Sequence, residues 1–512
     1  MATSTPTRHL FAIIALLVPA AVARAQYLCD YTAPSEMFAF DADFAHRFGS
    51  AIDADQETLI IGAPGAPEWG TQSGAAYAYR RTATGWQLLQ KLVPNDGVPF
   101  DLFGSSIAVS GDYALIGAPG RDDNGENSGT VYIFHRSAGV WSQIDRLDPP
   151  EPVTADAFGA VIDLDGPHAI ISLANAAIAY YRLEDTWYLT AGLGPDDWPA
   201  PAEFASSIRV HGNLAIVGAP GQDIGALTDA GAAYIYEFDG AAWLYRARLS
   251  AFAPEARDWF GSSVAIDQDI AVIGAPRDDA PGTSDTREDS GACYIFVRTA
   301  TNTWAPTYLY RAPDAAPRDN FAAALALTPD ALIIGAPRDD TAVPSDRHDD
   351  AGSVYIYRRG PGHSALIQSK VYPHIPRRHA NMGRVIAADA GFAFVGAPND
   401  DALCSGQFLC QSGSVSVIPG VTDCNDNAAI DACDIRTGAA PDLDSDYFID
   451  GCIPCRADTN SDARINVDDL NVVLTNWGLP YSGASNGDVT GDNQVGVDDL
   501  NQVLMEWGSA CL

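Results

Sequence analysis

From residue 103 to 134 the chain reads FGSSIAVSGDYALIGAPGRDDNGENSGTVYIF, and this order of apolar and polar positions recurs along most of the sequence. A Phe-Gly pair opens a short alternating apolar run. A Gly-Asp turn then leads to a second run ending in Gly117-Ala118-Pro119, and after an acidic loop Ser-Gly starts a Tyr- and Phe-rich run. The same order returns around Phe48, Phe158, Phe204, Phe260, Phe321 and Met382. Period-2 alternation of β-branched and aromatic residues between Gly, Pro and Asp predicts strands, four to a unit. In the second unit they are expected at about Ser105–Val109, Tyr113–Ile116, Thr130–Phe134 and Trp141–Leu147. A repeat of roughly 40–60 residues points to an architecture of stacked or ring-forming units.

The Gly-Ala-Pro triplet stands at Gly62, Gly117, Gly218, Gly274, Gly335 and Gly396, while the third unit has Ser172-Leu173-Ala174 and almost no loop after it. A fourth-strand Trp recurs as Trp86, Trp141, Trp187, Trp243 and Trp304. Seven units follow from this count, and the seventh ends at Ser414–Ile418 without a fourth strand. The segment Gln26-Tyr27-Leu28-Cys29-Asp30-Tyr31 aligns with the fourth strands of other units, so the N-terminus is expected to complete the last one. Such an offset closes a ring and leaves no open sheet between the first and last units. The expectation is an all-β seven-bladed β-propeller over 26–420; a series of β-sandwiches would not need the offset.

These motifs resemble the FG-GAP repeat family, whose better-known members form the seven-bladed head of integrin α chains, and the pattern is closer to the bacterial branch. In the integrin pattern an Asp-rich calcium loop precedes the Gly-Ala-Pro strand; here that place holds a short turn such as Ser110-Gly111-Asp112. The acids come after the triplet instead, as Asp122-Asp123, Asp278-Asp279, Asp339-Asp340 and Asp400-Asp401, with Glu288-Asp289 and Asp349-Asp350 in the longer loops. Asp101, Asp156, Asp258 and Asp319 lie just ahead of each unit's Phe. Both sets belong on one face of a propeller, predicting an acidic surface for cations or ligands; alternatively, the aspartates close turns by accepting backbone N–H bonds.

After 420 the refrain stops. In 421–455 two oxygen-rich segments, Asp423, Asn425, Asn427 with Asp431, and Asp442, Asp444, Asp446 with Asp450, resemble thrombospondin type 3-like calcium repeats; the other reading is an acidic, disulfide-pinned linker. In 456–512, Asp458, Asn460, Asp462, Arg464, Asn466 and Asp469 occupy positions 1, 3, 5, 7, 9 and 12 of a loop, and Asp488, Thr490, Asp492, Gln494 and Asp499 repeat the spacing. Ca²⁺ takes six to eight oxygens, and this spacing wraps them about one centre, position 7 giving its carbonyl. Leu470, Leu474 and Trp477 then share a predicted helical face, as do Leu500, Leu504 and Trp507. A duplicated loop–helix with Asp at position 12 and no entering helix, a half EF-hand, resembles the dockerin type I module. The family's position-6 Gly is Ala463 and Asn493 here. The resemblance implies Ca²⁺ as cofactor and a cohesin-like protein as docking partner.

Charge narrows the partners. A net charge of −36 at pH 7 makes nucleic acid and anionic membranes poor complements. Arg8, the apolar run Leu10 to Val22 and Ala23-Arg24-Ala25 form a signal-peptide pattern over 1–25, so export and a secreted or cell-surface location are expected. No later stretch is long and apolar enough to span a membrane as a helix. The 9 cysteines suggest disulfides in that setting. Cys424, Cys433, Cys452, Cys455 and Cys511 crowd the C-terminal fifth, Cys404 and Cys410 share one loop, and Cys293 in a predicted strand is the candidate buried free thiol. No nucleophile elbow, zinc pair or phosphate loop occurs. His374, His379, Arg377 and Arg378 read as a solvated basic patch. The functional expectation is a secreted, non-enzymatic, calcium-binding interaction or adhesion protein whose propeller face recognises protein or glycan. The alternatives are a polysaccharide-degrading hydrolase or lyase carried by a dockerin, and a structural cell-surface protein with an intermolecular Cys29 or Cys293.

Overall fold

The computed structural model describes residues 31–421, apart from 33–34, 83–84, 152–154, 195–202, 280–287, 301, 341–349, 361–362, 390 and 402–410, together with 473–474. Seven sheets follow one another, each built on four antiparallel strands, and the sixth carries a fifth, parallel one. Blade 1 comprises Ile52–Asp55, Thr58–Ala63, Ala75–Thr82 and Gly85–Leu92. Blade 2 comprises Ser106–Ser110, Tyr113–Ala118, Thr130–Ser137 and Val140–Leu147, close to the expected spans. Blades 3, 4 and 5 begin at Ile162–Asp165, Ser207–His211 and Ser263–Asp267; blades 6 and 7 begin at Ala324–Leu327 and Val385–Asp389. First strands pack side by side around an axis, and that of blade 7 lies against that of blade 1. The described chain is a closed seven-bladed β-propeller.

The N-terminus does complete blade 7, but with a different segment from the expected one. Ser35–Met37 pairs antiparallel with Ser414–Pro419, while Tyr31–Thr32 adds in parallel to Ala365–Tyr372 of blade 6. Spacing explains the shift. The fourth strands of blades 1 to 5 end at Leu92, Leu147, Leu193, Leu249 and Tyr310, each eleven residues before the next blade's Phe. Met37 stands eleven before Phe48.

The recurring motifs meet at the junctions between blades. A Cβ on Gly62 would lie 2.0 Å from the Gly104 carbonyl oxygen, and one on Gly117 2.1 Å from that of Gly159. The Gly of each Gly-Ala-Pro thus lets the next blade's Phe-Gly backbone approach closely. Parallel bridges Gly74–Phe103, Gly129–Phe158, Gly231–Phe260, Gly291–Phe321 and Gly352–Met382 stitch successive blades, and Gly413–Phe48 closes the ring. Blade 3 has Ser172 in place of the Gly-Ala-Pro Gly, and on this face its Asn175 side chain accepts from the Glu203 N–H of blade 4's lead-in loop at 3.0 Å. The repeat Phe is wholly buried and meets a third-strand Tyr edge-on: Phe48–Tyr77 at 5.4 Å, Phe103–Tyr132 at 5.5 Å, Phe321–Tyr355 at 5.2 Å. Burying one such ring is worth about 1.5–3 kcal/mol, so the repeated pair contributes strongly to ring stability.

Candidate interaction face and axial cavity

Each blade's second-to-third-strand loop and the lead-in loop before its Phe share one end of the propeller, here the loop face. The aspartates after Gly-Ala-Pro divide their work there. Of each Asp-Asp pair in blades 5 and 6, the first turns inward and the second stays out: Asp278 and Asp339 are buried, Asp279 and Asp340 exposed. The outer one closes its loop. Asp279 accepts the Asp289 N–H at 2.8 Å, Asp340 that of Asp350 at 2.8 Å, and Asp401 that of Gln411 at 2.7 Å; Asp122 does the same for Asn127. The lead-in aspartates also close turns, Asp101, Asp258 and Asp319 accepting from Val98, Glu255 and Ala316. Turn closure, the second of the two expectations, describes these seven acids.

The inward acids lie against cations, Lys370 buried and Arg311 and Arg377 half-buried. Lys370, whose side chain is 1% exposed, bonds Asp339 and reaches Asp314 at 2.7 Å. Burial alone would lower the Lys370 pKa, but Asp339 and Asp314 outweigh it and hold it above its ordinary value. Arg311 holds Asp278. Arg377 holds Asp400 at 2.7 Å and Glu36, on the closing strand, at 3.5 Å. His379 lies 3.2 Å from Asp350. Arg377 is thus a junction clamp, and the expected solvated basic patch is corrected at that residue. Blade 2 inverts the charges: Arg121 takes the inward position and binds Asp101 at 3.0 Å, Asp123 at 3.0 Å and Asp96 at 3.3 Å. A third motif recurs beside these. Asp41, Asp96 and Asp314, each seven residues before a repeat Phe, accept from the hydroxyls of Tyr77, Tyr132 and Tyr355 at 2.7, 3.0 and 2.8 Å.

In blades 5 and 6 the lead-in Asp faces the inward Asp of its own blade. Burial, then the repulsion of Asp278, pushes Asp258 up to about 7; burial and Asp339 do the same for Asp319. At blade 1 the corresponding residue is His46, whose Nδ1 accepts from the Asp43 N–H at 3.3 Å and whose pKa burial lowers.

At the opposite end, the turn face, first-strand aspartates cap the next blade. Asp53 and Asp163 accept the Val109 and Val210 N–H groups at 2.7 and 2.5 Å; Asp55 and Asp165 accept those of Gly111 and Gly212 at 2.5 and 2.6 Å. They line an axial cavity of about 290 Å³ together with Arg209, His211 and Asp389. Burial, followed by the neighbouring Asp163, pushes Asp53 up to about 7, and burial raises Asp163 despite Arg209 at 3.2 Å. Sequence reasoning passed over this set; its signal was acids at alternate positions of two otherwise apolar strands, Ile52-Asp-Ala-Asp55 and Ile162-Asp-Leu-Asp165.

The predicted calcium ligands of 458–499 and the oxygen-rich set of 423–450 lie outside the described residues, as do 1–30 and all the cysteines except Cys293. Cys293 is a buried free thiol, as expected, and burial raises its pKa. Among the described residues no three His, Cys, Asp or Glu side chains gather into a metal-holding set, and no helix is long and apolar enough to cross a membrane.

Comparison with known families agrees with this geometry. The FG-GAP repeat matches the chain at residues 32–79, 86–134, 187–236, 243–296 and 311–357. These five matches fall on blades of the closed ring, so the described chain is a seven-bladed β-propeller carrying FG-GAP repeats. No curated protein matches it.

Proposed function

We propose that the chain is an exported, calcium-binding interaction protein that recognises a protein or glycan through the loop face and is tethered by a dockerin-like segment at 456–512. The observation supporting this division of labour is where the chain leaves the ring. Strand Ser414–Pro419 starts beside Ala397 at the loop face and ends beside Phe392 at the turn face, where the Val421 N–H bonds Gly391. The described chain therefore reaches 421 at the end opposite the loops, which supports a loop face available to a partner and a C-terminal module that docks elsewhere. Calorimetric Ca²⁺ titration of the full chain tests the reading. About two strongly bound ions are expected, one lost in Asp458→Ala/Asp469→Ala and the other in Asp488→Ala/Asp499→Ala. Unchanged stoichiometry in both variants would remove the dockerin-like half.

The polysaccharide-degrading reading has one observation in its favour, the Asp53–Asp163 pair in the axial cavity with Asp53 near 7. Each carboxylate is already committed to a backbone N–H of the next blade. Reducing-sugar release from a polysaccharide panel, lost in Asp53→Asn, would revive that reading. The structural cell-surface reading loses one of its two thiols, because Cys293 is 0% exposed and cannot reach a second chain without a blade opening.

A further inference from the structure

Large apolar side chains in water are unevenly spread over the loop face. Five gather in one sector: Phe40 and Phe44 on the lead-in loop of blade 1, Trp69 on its next loop, and Val98 and Phe100 on the lead-in loop of blade 2, exposed by 43% to 70%. Elsewhere on this face, among the described residues, Phe252 and Ile375 stand singly, and Phe252 leans on Tyr294 at 5.1 Å.

Contacts tie together the loops that carry Phe40, Trp69 and Phe100. Trp69 Nε1 donates to the Pro94 carbonyl at 2.9 Å, and a Cβ on Gly97 would lie 2.3 Å from its ring. The Phe100 N–H donates to the Thr71 carbonyl at 2.9 Å. Phe40 stacks edge-on at 6.1 Å with Tyr77, whose hydroxyl bonds Asp41, and Lys91 links Asp41 to Glu68, the neighbour of Trp69. Contiguous exposed aromatics with a polar rim mark a protein-binding surface. Here the rim carries more acids than bases: Asp41 and Glu68 share Lys91, Asp96 is bound by Arg121 and Arg146, and Asp43 adds a further carboxylate.

We propose that this sector of blades 1 and 2 docks a protein partner presenting aliphatic or aromatic side chains flanked by lysine or arginine. The inference rests on the interaction reading above and assigns it a place and a partner chemistry. A second copy of the chain is a poor occupant, since each carries −36. The chain's own C-terminal part is another poor one: beyond 421 its basic residues are Arg436, Arg456 and Arg464 among many aspartates.

The test selects a random-peptide phage library on the full-length mature protein and measures the synthesised winners by fluorescence anisotropy. Winners rich in Lys or Arg and in large apolar residues are expected. Their affinity should fall about tenfold or more in Trp69→Ser/Phe100→Ser and, independently, in Phe40→Ser/Phe44→Ser. It should weaken between about 50 and 300 mM salt and hold in Phe252→Ser. Winners that bind both double variants as tightly as the wild type, or that are acidic, overturn the proposal while leaving the interaction reading standing. Binding to a glycan array with no peptide winners has the same consequence. Binding to neither overturns both.

Discussion

The same loop face is built in two ways on its two sides. In blades 5 and 6 the residue after Gly-Ala-Pro-Arg is a buried aspartate, Asp278 or Asp339, held by a cation from the end of the fourth strand and facing a second buried aspartate. In blades 1 and 2 that position is Ala66 or Arg121. The junction then needs no inward acid, and Glu68 and Trp69 occupy the loop. The backbone solution is shared by most junctions: a buried Phe or Met, a junction Gly under the next blade's Phe-Gly or Phe-Ala backbone, and a Gly bridged to the next Phe or Met. The charges differ because each junction has only to satisfy its own buried groups. In blade 1, where that position holds no acid, the loop carries the exposed Trp69.

The sharpest way to break this comparison is to remove a buried cation. Lys370→Met leaves Asp339 and Asp314 without their ammonium, and a loss of roughly 3–5 kcal/mol is expected in denaturant unfolding, partly restored by adding Asp339→Asn. Arg121→Met should destabilise less, about 2–3 kcal/mol, since Arg146 still reaches Asp96 at 3.0 Å and Asp123. Equal losses would mean that the two sides rest on the same chemistry after all.

Protonation sharpens the contrast further. Asp258 has its pKa raised from 3.8 to about 7 in the fold, so the native state keeps a proton that the unfolded chain releases. Its contribution is therefore complete below about pH 4 and is lost as pH rises towards 7. Asp258→Asn keeps the acceptor for the Glu255 N–H and should stabilise by about 1–2 kcal/mol at pH 8, with little change at pH 4. Melting temperatures across that range check it; a gain of the same size at both ends would contradict the sign. The smallest effect belongs to the aromatic side: Phe44→Ser, at a residue 60% exposed, should shift stability by no more than about 0.5 kcal/mol. A larger loss would make Phe44 part of the core.

The fold was legible because its signals are local. Phe-Gly, Gly-Ala-Pro and the Gly-Asp turn each occupy a few adjacent residues, and their order gave the blade count. The degenerate third unit could be counted because its strands keep their alternation although Ser172 replaces the junction Gly. The closing strand was placed several residues early, since a short apolar run is weak; the constant distance to the next Phe was the better guide. The acidic loops were visible as acids, but which Asp of each pair turns inward was not. The residue that decides it, Lys370 or Arg311, comes from about thirty residues further along the chain.

By itself, then, the sequence determined the strand period, the number of blades and the small residues at which blades touch, because these follow from alternation and from what a missing Cβ permits. Only the tertiary structure decided the charge pairings, the strand that seals the ring, the carboxylates gathered in the axial cavity and the grouping of Phe40, Phe44, Trp69 and Phe100. Those features depend on side chains from different blades meeting across the junctions and around the axis, and no local pattern encodes which of them will be neighbours.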